Sequence, residues 1–494
     1  MGSVFEPENK PQNYLKLALK VYNYKTTDKM NNEDKKKISR RDFFKIAGAA
    51  GAVTTGLAAC GNKRTDSSAA TNTEVPTDAM TYRTLTGDRV SLLGYGCMRW
   101  PMKDSPDGKG QVVDQEEVNR LVDYALAHGV NYFDTAPPYC QGLSEEATGI
   151  ALSRHPRNSY YIATKMSNHR LYGAGLRGKE LYDASVEMYR NSFKSLRTDY
   201  FDYYLFHILG TGAGMEEMRG RLYDCGIADF ILKEKEAGRI RKLGFSFHGD
   251  VKIFDYMLQE SGIPWDFVQI QLNYLDWRHA SGMNVNAEYL YGELAKRNIP
   301  AVIMEPLLGG RLSKVHDHIV TKLKQREPEH SVASWAFRFS GSFPDVLTVL
   351  SGMTYMEHLQ DNLRTYSPLQ PLTDEEFRFL QETADLMAQY QTIPCNDCNY
   401  CMPCPYGLDI PGVLLHYNKC INEGHMPKSR QDDNYQEARR AFLIGYDRSV
   451  PRLRQASHCI GCAQCNPHCP QGIDIPKEMQ RIDHFVEQLK QNNL

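Results

Sequence analysis

The chain has almost no surplus of charge. Its 494 residues carry 58 Lys and Arg against 60 Asp and Glu, a formal balance of −2. Polyanion binding shows itself as a basic excess, so no nucleic-acid partner is expected. The chain also lacks an apolar run of the roughly 20 residues that cross a bilayer as a helix. The nearest candidate is the Ala- and Gly-rich stretch after Arg41, which reads as a leader. Cysteine is sparse where a disulfide scaffold would need it. Of thirteen cysteines, three lie between residues 61 and 394, whereas eight crowd into two short tail segments. Disulfide scaffolds are usually small and cysteine-dense throughout, so metal ligation is the better reading of the tail. What is present is ample apolar material: 41% hydrophobic residues, enough for a large core. The length predicts two or three folding units.

Five segments follow from the pattern: a leader over 1–60, a linker over 61–80, a barrel over 81–370, a connecting helix within 371–393 and a cysteine-rich domain over 394–494. In the leader, Ser39-Arg40-Arg41-Asp42-Phe43-Phe44-Lys45 precedes a weakly apolar run from Ile46 to Leu57. Paired arginines before such a run resemble a twin-arginine export signal. The ending Leu57-Ala58-Ala59-Cys60 resembles a lipobox, in which Cys60 becomes the lipidated first residue of the mature chain. The expected location is therefore a membrane-anchored lipoprotein exported by the twin-arginine route. A chance basic pair before an Ala-rich helix would leave the protein cytoplasmic. Met30 gives a more ordinary leader length than Met1. The Ser-, Thr- and Asn-rich stretch from Asn62 to Ala79 suits a flexible tether.

From Tyr82 to about Pro368 strand-like and helix-like segments alternate. Val113 to His128 has helical apolar spacing and an Asp-x-x-Glu start at Asp114. Strands are predicted over 131–134, 160–165, 201–206, 242–247, 267–271, 300–304 and 346–350. With the Gly94–Arg99 segment they make eight, each beside helical sequence such as 144–154 and 178–196. That repetition predicts an α/β fold, a parallel (β/α)8 TIM barrel, rather than an open sheet. Thr373-Asp374-Glu375-Glu376 has capping-box spacing and opens the connecting helix. A small, mainly helical domain of ferredoxin type is expected after it.

Several barrel segments resemble the aldo/keto reductase superfamily: Asn131-Tyr132-Phe133-Asp134-Thr135-Ala136, Ile162-Ala163-Thr164-Lys165, Asp202-Tyr203-Tyr204-Leu205-Phe206-His207, Gly94-Tyr95-Gly96-Cys97-Met98-Arg99 and Lys242-Leu243-Gly244-Phe245-Ser246. The family's catalytic tetrad falls residue by residue on Asp134, Tyr139, Lys165 and His207. The residues agree with this carry-over. Three of them end predicted strands, and the C-terminal strand ends carry the active site of such a barrel. Tyr139 would give the proton, Lys165 would lower its pKa, Asp134 would orient Lys165, and His207 would polarise the carbonyl. The resemblance also implies a nicotinamide cofactor, NAD(P)H. It would be lined by Gly96, Cys97 and Met98, with its carboxamide held by Ser246 and Gln269. Met304 stands where many relatives stack an aromatic ring. Gly352, Thr354 and Asn362 match a phosphate-contacting turn. Tyr355 and His358 replace the basic residues expected at a 2′-phosphate, so no NADP preference follows, and NAD or another donor stays open. The substrate expected is a small carbonyl or alcohol.

The tail carries two four-cysteine motifs, Cys395-x2-Cys398-x2-Cys401-x2-Cys404-Pro and Cys459-x2-Cys462-x2-Cys465-x3-Cys469-Pro. The second has the bacterial ferredoxin spacing, in which the fourth cysteine serves the other cluster. Cys404-Pro-Tyr-Gly-Leu-Asp-Ile-Pro repeats as Cys469-Pro-Gln-Gly-Ile-Asp-Ile-Pro. Two [4Fe–4S] clusters with crossed ligation are predicted: Cys395, Cys398, Cys401 and Cys469 for one, and Cys459, Cys462, Cys465 and Cys404 for the other. Zinc is the alternative metal. The insert from Asn418 to Arg454 is either a solvated helical hairpin or a docking surface. Cys140, Cys225 and Cys420 read as ordinary thiols, Cys140 being set apart by its position beside Tyr139.

Hydride transfer moves two electrons together, whereas a cubane cluster takes one. Two functions therefore follow. The first is a reductase acting on a carbonyl or alcohol, with clusters for electron transfer and a redox partner protein. The second is an electron-transfer or binding protein on a reductase-like barrel without carbonyl turnover.

Overall fold

A computed structural model describes residues 75–494 apart from 109 and 391. The twin-arginine segment, the lipobox and most of the expected tether lie outside the described residues.

Eight parallel strands close a barrel: β1 (Leu93–Gly96), β2 (Tyr132–Asp134), β3 (Tyr161–Met166), β4 (Phe201–Leu209), β5 (Ile240–Phe247), β6 (Phe267–Gln271), β7 (Ala301–Met304) and β8 (Val346–Ser351). Each pairs with its neighbours in sequence, and β8 closes on β1 with Val349 opposite Leu93. A parallel strand covered on both faces needs a near-continuous apolar run, and all nine residues of β4 are buried. The strand interiors meet in a layer that includes Tyr132, Tyr203, Phe267 and Val302. A short hairpin, Tyr82–Arg83 with Val90–Ser91, adds Val90 to that layer. Thr86 and Asp88 of its loop hold the Tyr203 hydroxyl at 2.8 and 3.0 Å. That end of the barrel is closed, which leaves the carboxyl ends of the strands for chemistry.

The predicted strands fall within two or three residues of the observed ones. The largest difference is at β4, which runs on to Leu209, so His207 lies inside a strand rather than just past one. The capping box expected at Asp114 does not form. Helix Gln115–Ala127 follows Asp114 without a side-chain cap, because that carboxylate pairs with Lys103 at 3.0 Å. The box at Thr373 does form, opening helix Asp374–Met387, whose Leu380 and Ala384 join the barrel core.

The tail has its own core, built by helices Ile410–Asn422, Tyr435–Ser449 and Ile475–Gln491 through residues such as Val413, Phe442, Met479 and Val486. The first and third begin on the repeated Asp-Ile-Pro. Proline fits the first turn because its missing N–H is unpaired there anyway. Asp409 caps the Gly412 N–H at 3.1 Å. The repeat is imperfect: Asp474 instead accepts from Asn466 at 3.2 Å.

Candidate active site

Asp134 is the last residue of β2, Lys165 lies next to last in β3, and His207 is near the end of β4. Tyr139 follows β2 in a tight turn. The barrel therefore brings all four residues to one end. The Lys165 ammonium sits 2.5 Å from Asp134 Oδ1 and donates to the Thr135 carbonyl at 2.7 Å. Both side chains are almost fully buried. Burial pushes the Asp134 carboxyl up and the Lys165 ammonium down, and the partner resists each shift. Removing one member of such a pair strands a buried charge, at a cost of about 3–5 kcal/mol. Asp134 Oδ2 has no hydrogen-bond partner.

Lys165 Nζ lies 4.7 Å from the centre of the Tyr139 ring. The sequence predicts that Lys165 lowers the pKa of this phenol, but the phenol moves the other way. Burial, and then the Asp134 carboxylate, hold it well above 10. The physical reason is the burial of the phenol, to which the Asp134 carboxylate adds. Tyr139 therefore rests protonated. The Tyr139 and His207 rings meet edge to face at 5.9 Å. Burial first, and then the neighbouring His169, Lys165 and Arg221, hold His207 well below 6.5, so it rests neutral. Its Nδ1 is 2.6 Å from the Ser167 hydroxyl. With that hydroxyl donating, the imidazole proton sits on Nε2.

The tetrad opens on a cavity of about 1330 Å3. Gly96, Met98, Ser246, Gln269, Met304, Gly352, Thr354 and Asn362 line it as well. Gln269 Oε1 is a buried acceptor without a partner. The Ser246 hydroxyl accepts the Ile208 N–H at 2.8 Å. Thr354 donates to the Arg99 carbonyl at 2.9 Å, and Asn362 to Ser351 at 2.9 Å. Cys97 is placed apart from this wall: its side chain is fully buried, and its carbonyl accepts from Ser144 at 2.7 Å. Tyr355 and His358 do line the cavity, as do the basic residues Arg311, Lys314 and Lys419. Cys225 and Cys420 are buried, whereas Cys140 is half-buried with its thiol 3.4 Å from the Met98 carbonyl.

One wall of the cavity comes from the first cysteine motif, through Asn396, Asp397, Cys398 and Tyr400. Sequence reasoning assigned none of Asn396, Asp397 and Tyr400 a role. Tyr400 is a hydrogen-bonding neighbour of Tyr139, and Arg170 lies 5.5 Å from the centre of its ring. Arg99 donates to the Asn396 carbonyl at 2.6 Å and pairs with Asp397 at 3.4 Å. Glu305, in the left-handed region at φ 53°, accepts from Asn396 at 2.6 Å and from Gln471 at 3.3 Å. It thus touches both cysteine segments, and burial raises its carboxyl to about 7. Met304-Glu305-Pro306 carries no readable signature, so only the fold could reveal this role.

The eight motif cysteines are free thiols. They gather in the crossed sets. Cys395, Cys398, Cys401 and Cys469 line one small cavity. Cys404, Cys459 and Cys462 are the neighbours of Cys465. Burial first, then the neighbouring groups, push Cys398 up to about 12 and Cys395 to about 11. Among the described residues no three Cys, His, Asp or Glu side chains stand close enough to hold a single ion.

The aldo/keto reductase family model matches residues 92–385, and a twin-arginine translocation signal model matches 37–57. The chain is 24% identical to the aldo-keto reductase YhdN of Bacillus subtilis, over 57% of the chain and 91% of that protein. It is 25% identical to L-galactose dehydrogenase of Arabidopsis thaliana, over 58% of the chain and 88% of that protein. Among solved structures, the aldo-keto reductase of Klebsiella pneumoniae in complex with NADPH is 20% identical, with a TM-score of 0.46 over 63% of the chain and 95% of that protein. Among the described residues no helix is long and apolar enough to cross a membrane.

Proposed function

The chain belongs to the aldo/keto reductase family of enzymes, and from that premise we propose that it interconverts a carbonyl and an alcohol with Tyr139 as the acid, while its tail holds two [4Fe–4S] clusters for electron transfer. The observation that carries the first half is the buried Lys165–Asp134 pair set against a protonated Tyr139 at the cavity floor. In reduction, Tyr139 Oη gives its proton to the substrate oxygen while His207 Nε2–H donates a hydrogen bond to the same atom. The phenolate left behind is met by the Lys165 ammonium, which Asp134 holds in place. A nicotinamide, when bound, supplies the hydride. Gln269 Oε1, an unpartnered buried acceptor, fits its carboxamide N–H, and Ser246 lies on the same wall.

The ferredoxin spacing of the second motif, and the gathering of Cys395, Cys398, Cys401 and Cys469 around one small cavity, support iron–sulfur ligation by this chain's cysteines. The clusters, when bound, supply or accept one electron at a time. Cys398 lies in the cavity wall, so the inner set adjoins the tetrad. The match to the twin-arginine signal implies export, and Cys60 is our proposed site for a lipid anchor. A folded enzyme that retains its cofactor fits that route.

A second reading has one observation in its favour. Tyr400 leans on Tyr139, as it would if the tail had closed over a lapsed active site. Anaerobic titration of as-isolated protein with NADH and NADPH, following the broad visible absorbance, tests the reading together with turnover on a panel of aldehydes and ketones. Turnover with bleaching supports a single wired enzyme. Bleaching by dithionite alone, with no turnover on any carbonyl, overturns the reductase reading and leaves an electron-transfer protein.

A further inference from the structure

The two cysteine sets differ in what surrounds them. The inner set, Cys395, Cys398, Cys401 and Cys469, lies between the barrel mouth and the tail core, with Cys395 buried. The outer set reaches the surface at Cys462, which is exposed. Three large apolar side chains stand out beside it: Leu453 is 80% exposed, Ile460 61% and Tyr406 48%. Ile460 follows Cys459 directly, and Tyr406 is two residues after Cys404. Arg454 joins these segments, donating to the Gly407 carbonyl at 3.3 Å while its own carbonyl accepts the Asp409 N–H at 3.0 Å. Exposed apolar groups clustered in this way mark contact surfaces.

Charge says what would sit there. Between Asp447 and Asp474 there is no Asp or Glu, but there are the exposed Arg448, Arg452 and Arg454, of which Arg452 pairs with Asp447 at 3.3 Å. The segment from Asn399 to Leu408, around Cys404, carries no charge of either sign. In a chain of net charge −2 this is a local basic rim around an apolar centre. Such a rim steers an acidic partner and repels a basic one.

We propose that this face is the docking surface for an acidic one-electron carrier protein, and that electrons pass from it through the outer cysteine set to the inner set at the cavity wall. The proposal rests on the iron–sulfur reading given above. In each encounter the reduced carrier loses one electron and the outer centre gains one, with no bond made or broken.

The test uses the full-length protein, whose iron content is measured first, and an acidic plant-type [2Fe–2S] ferredoxin carrying a fluorescent label. Anisotropy gives the affinity, and stopped-flow absorbance gives the rate at which reduced ferredoxin bleaches the tail centres. Saturable binding is expected that weakens as salt rises. Arg452→Glu with Leu453→Ser should weaken it at least tenfold, and Ile460→Ser alone about threefold. Lys179→Glu, on an exposed barrel helix, should leave it unchanged. Basic cytochrome c should not bind the face. Equal binding of the two carriers, or ferredoxin binding untouched by the Arg452/Leu453 variant, overturns the proposal. So does binding of this face to phosphatidylglycerol vesicles in place of ferredoxin, which would make it a lipid-contact surface. Iron-free protein after anaerobic reconstitution overturns the cluster reading itself, whereas iron-replete protein that ignores ferredoxin overturns the docking alone.

Discussion

The barrel and the tail hold their reactive side chains in opposite ways. Asp134 and Lys165 are carried by paired strands, and His207 sits where the register of β4 shifts, its carbonyl held by Arg221 at 2.7 Å. The cysteines lie on irregular segments: residues 392–409 contain no helix or strand. Those segments bend through left-handed residues, Asp397 at φ 55°, Asn399 at φ 62° and Ala463 at φ 58°. An alanine in that region costs about 1–2 kcal/mol, less for Asn and Asp, whose side chains bond locally. The barrel mouth has left-handed residues too, Cys140 at φ 49°, Ile208 at φ 53° and Glu305 at φ 53°, but its strands form by backbone pairing that needs no ligand. The segment 392–409 has no such pairing, and what its thiols bind would order it.

This contrast breaks first under removal of metal. Ferricyanide with EDTA should strip the tail and lower its stability by several kcal/mol, because binding free energy at a site unformed in the unfolded chain is folding free energy. Amide exchange should then rise in helices Ile410–Asn422 and Ile475–Gln491 while β3 and β4 stay protected. Equal loss of protection in the strands would mean that the barrel leans on the tail. Next in size is Tyr139→Phe, which acts on the barrel alone. Carbonyl turnover should fall about 10²- to 10⁴-fold, the usual worth of a positioned acid, with the visible absorbance and iron content unchanged. Unaltered turnover would remove Tyr139 from its role.

The same contrast explains what could be read in advance. Strand order, strand number and the gathering of Asp134, Tyr139, Lys165 and His207 at one end were legible because a parallel barrel writes itself as alternating apolar runs, with polar residues at the strand ends. Gly178–Leu196 and Phe267–Gln271 agree with prediction to the residue. Cysteine spacing named the metal-ligand candidates and their crossed sets. What stayed hidden was the joint. Tyr400 lies inside a cysteine motif, Glu305 just after a strand and Asn396 between two motif cysteines, and their neighbours are 91 to 297 residues away in sequence. No local period records a contact of that kind. The sign of the Tyr139 shift was hidden for a related reason, since it depends on how far the phenol is buried and on where the Asp134 carboxylate lies.

A smaller effect isolates one buried carboxyl between the barrel wall and its helices. Glu145, buried against Thr164 at 2.5 Å and Ser192 at 3.1 Å, has its carboxyl raised to about 7 by burial. A folded-state pKa above the unfolded value favours the fold while the group is protonated. That stability is fully present below about pH 4.5 and is lost as pH rises through about 7. Glu145→Gln keeps the Thr164 bond and removes the titration. The variant should therefore gain on the parent between pH 5 and pH 8, by at most about 3 kcal/mol. Thermal melts at both pH values check this. A constant difference would mean that the carboxylate finds a charge partner when ionised.

The smallest effect probes the joint itself, and so measures how far the two regions act as one. Tyr400 is the hydrogen-bonding neighbour that partly offsets the upward push of burial on Tyr139. Tyr400→Phe removes that offset and leaves the Lys165–Asp134 pair in place, so the Tyr139 phenol should rise further. Reduction, which uses the protonated form, should be little changed at neutral pH. Alcohol oxidation needs the phenolate, so it should slow about tenfold, a loss of about 1.4 kcal/mol. The alkaline limb of its pH profile should move up. A merely structural role for Tyr400 would lower both directions equally and leave the profile in place. A shifted profile with unchanged absorbance would mean that a residue inside a cysteine motif tunes the acid of the barrel.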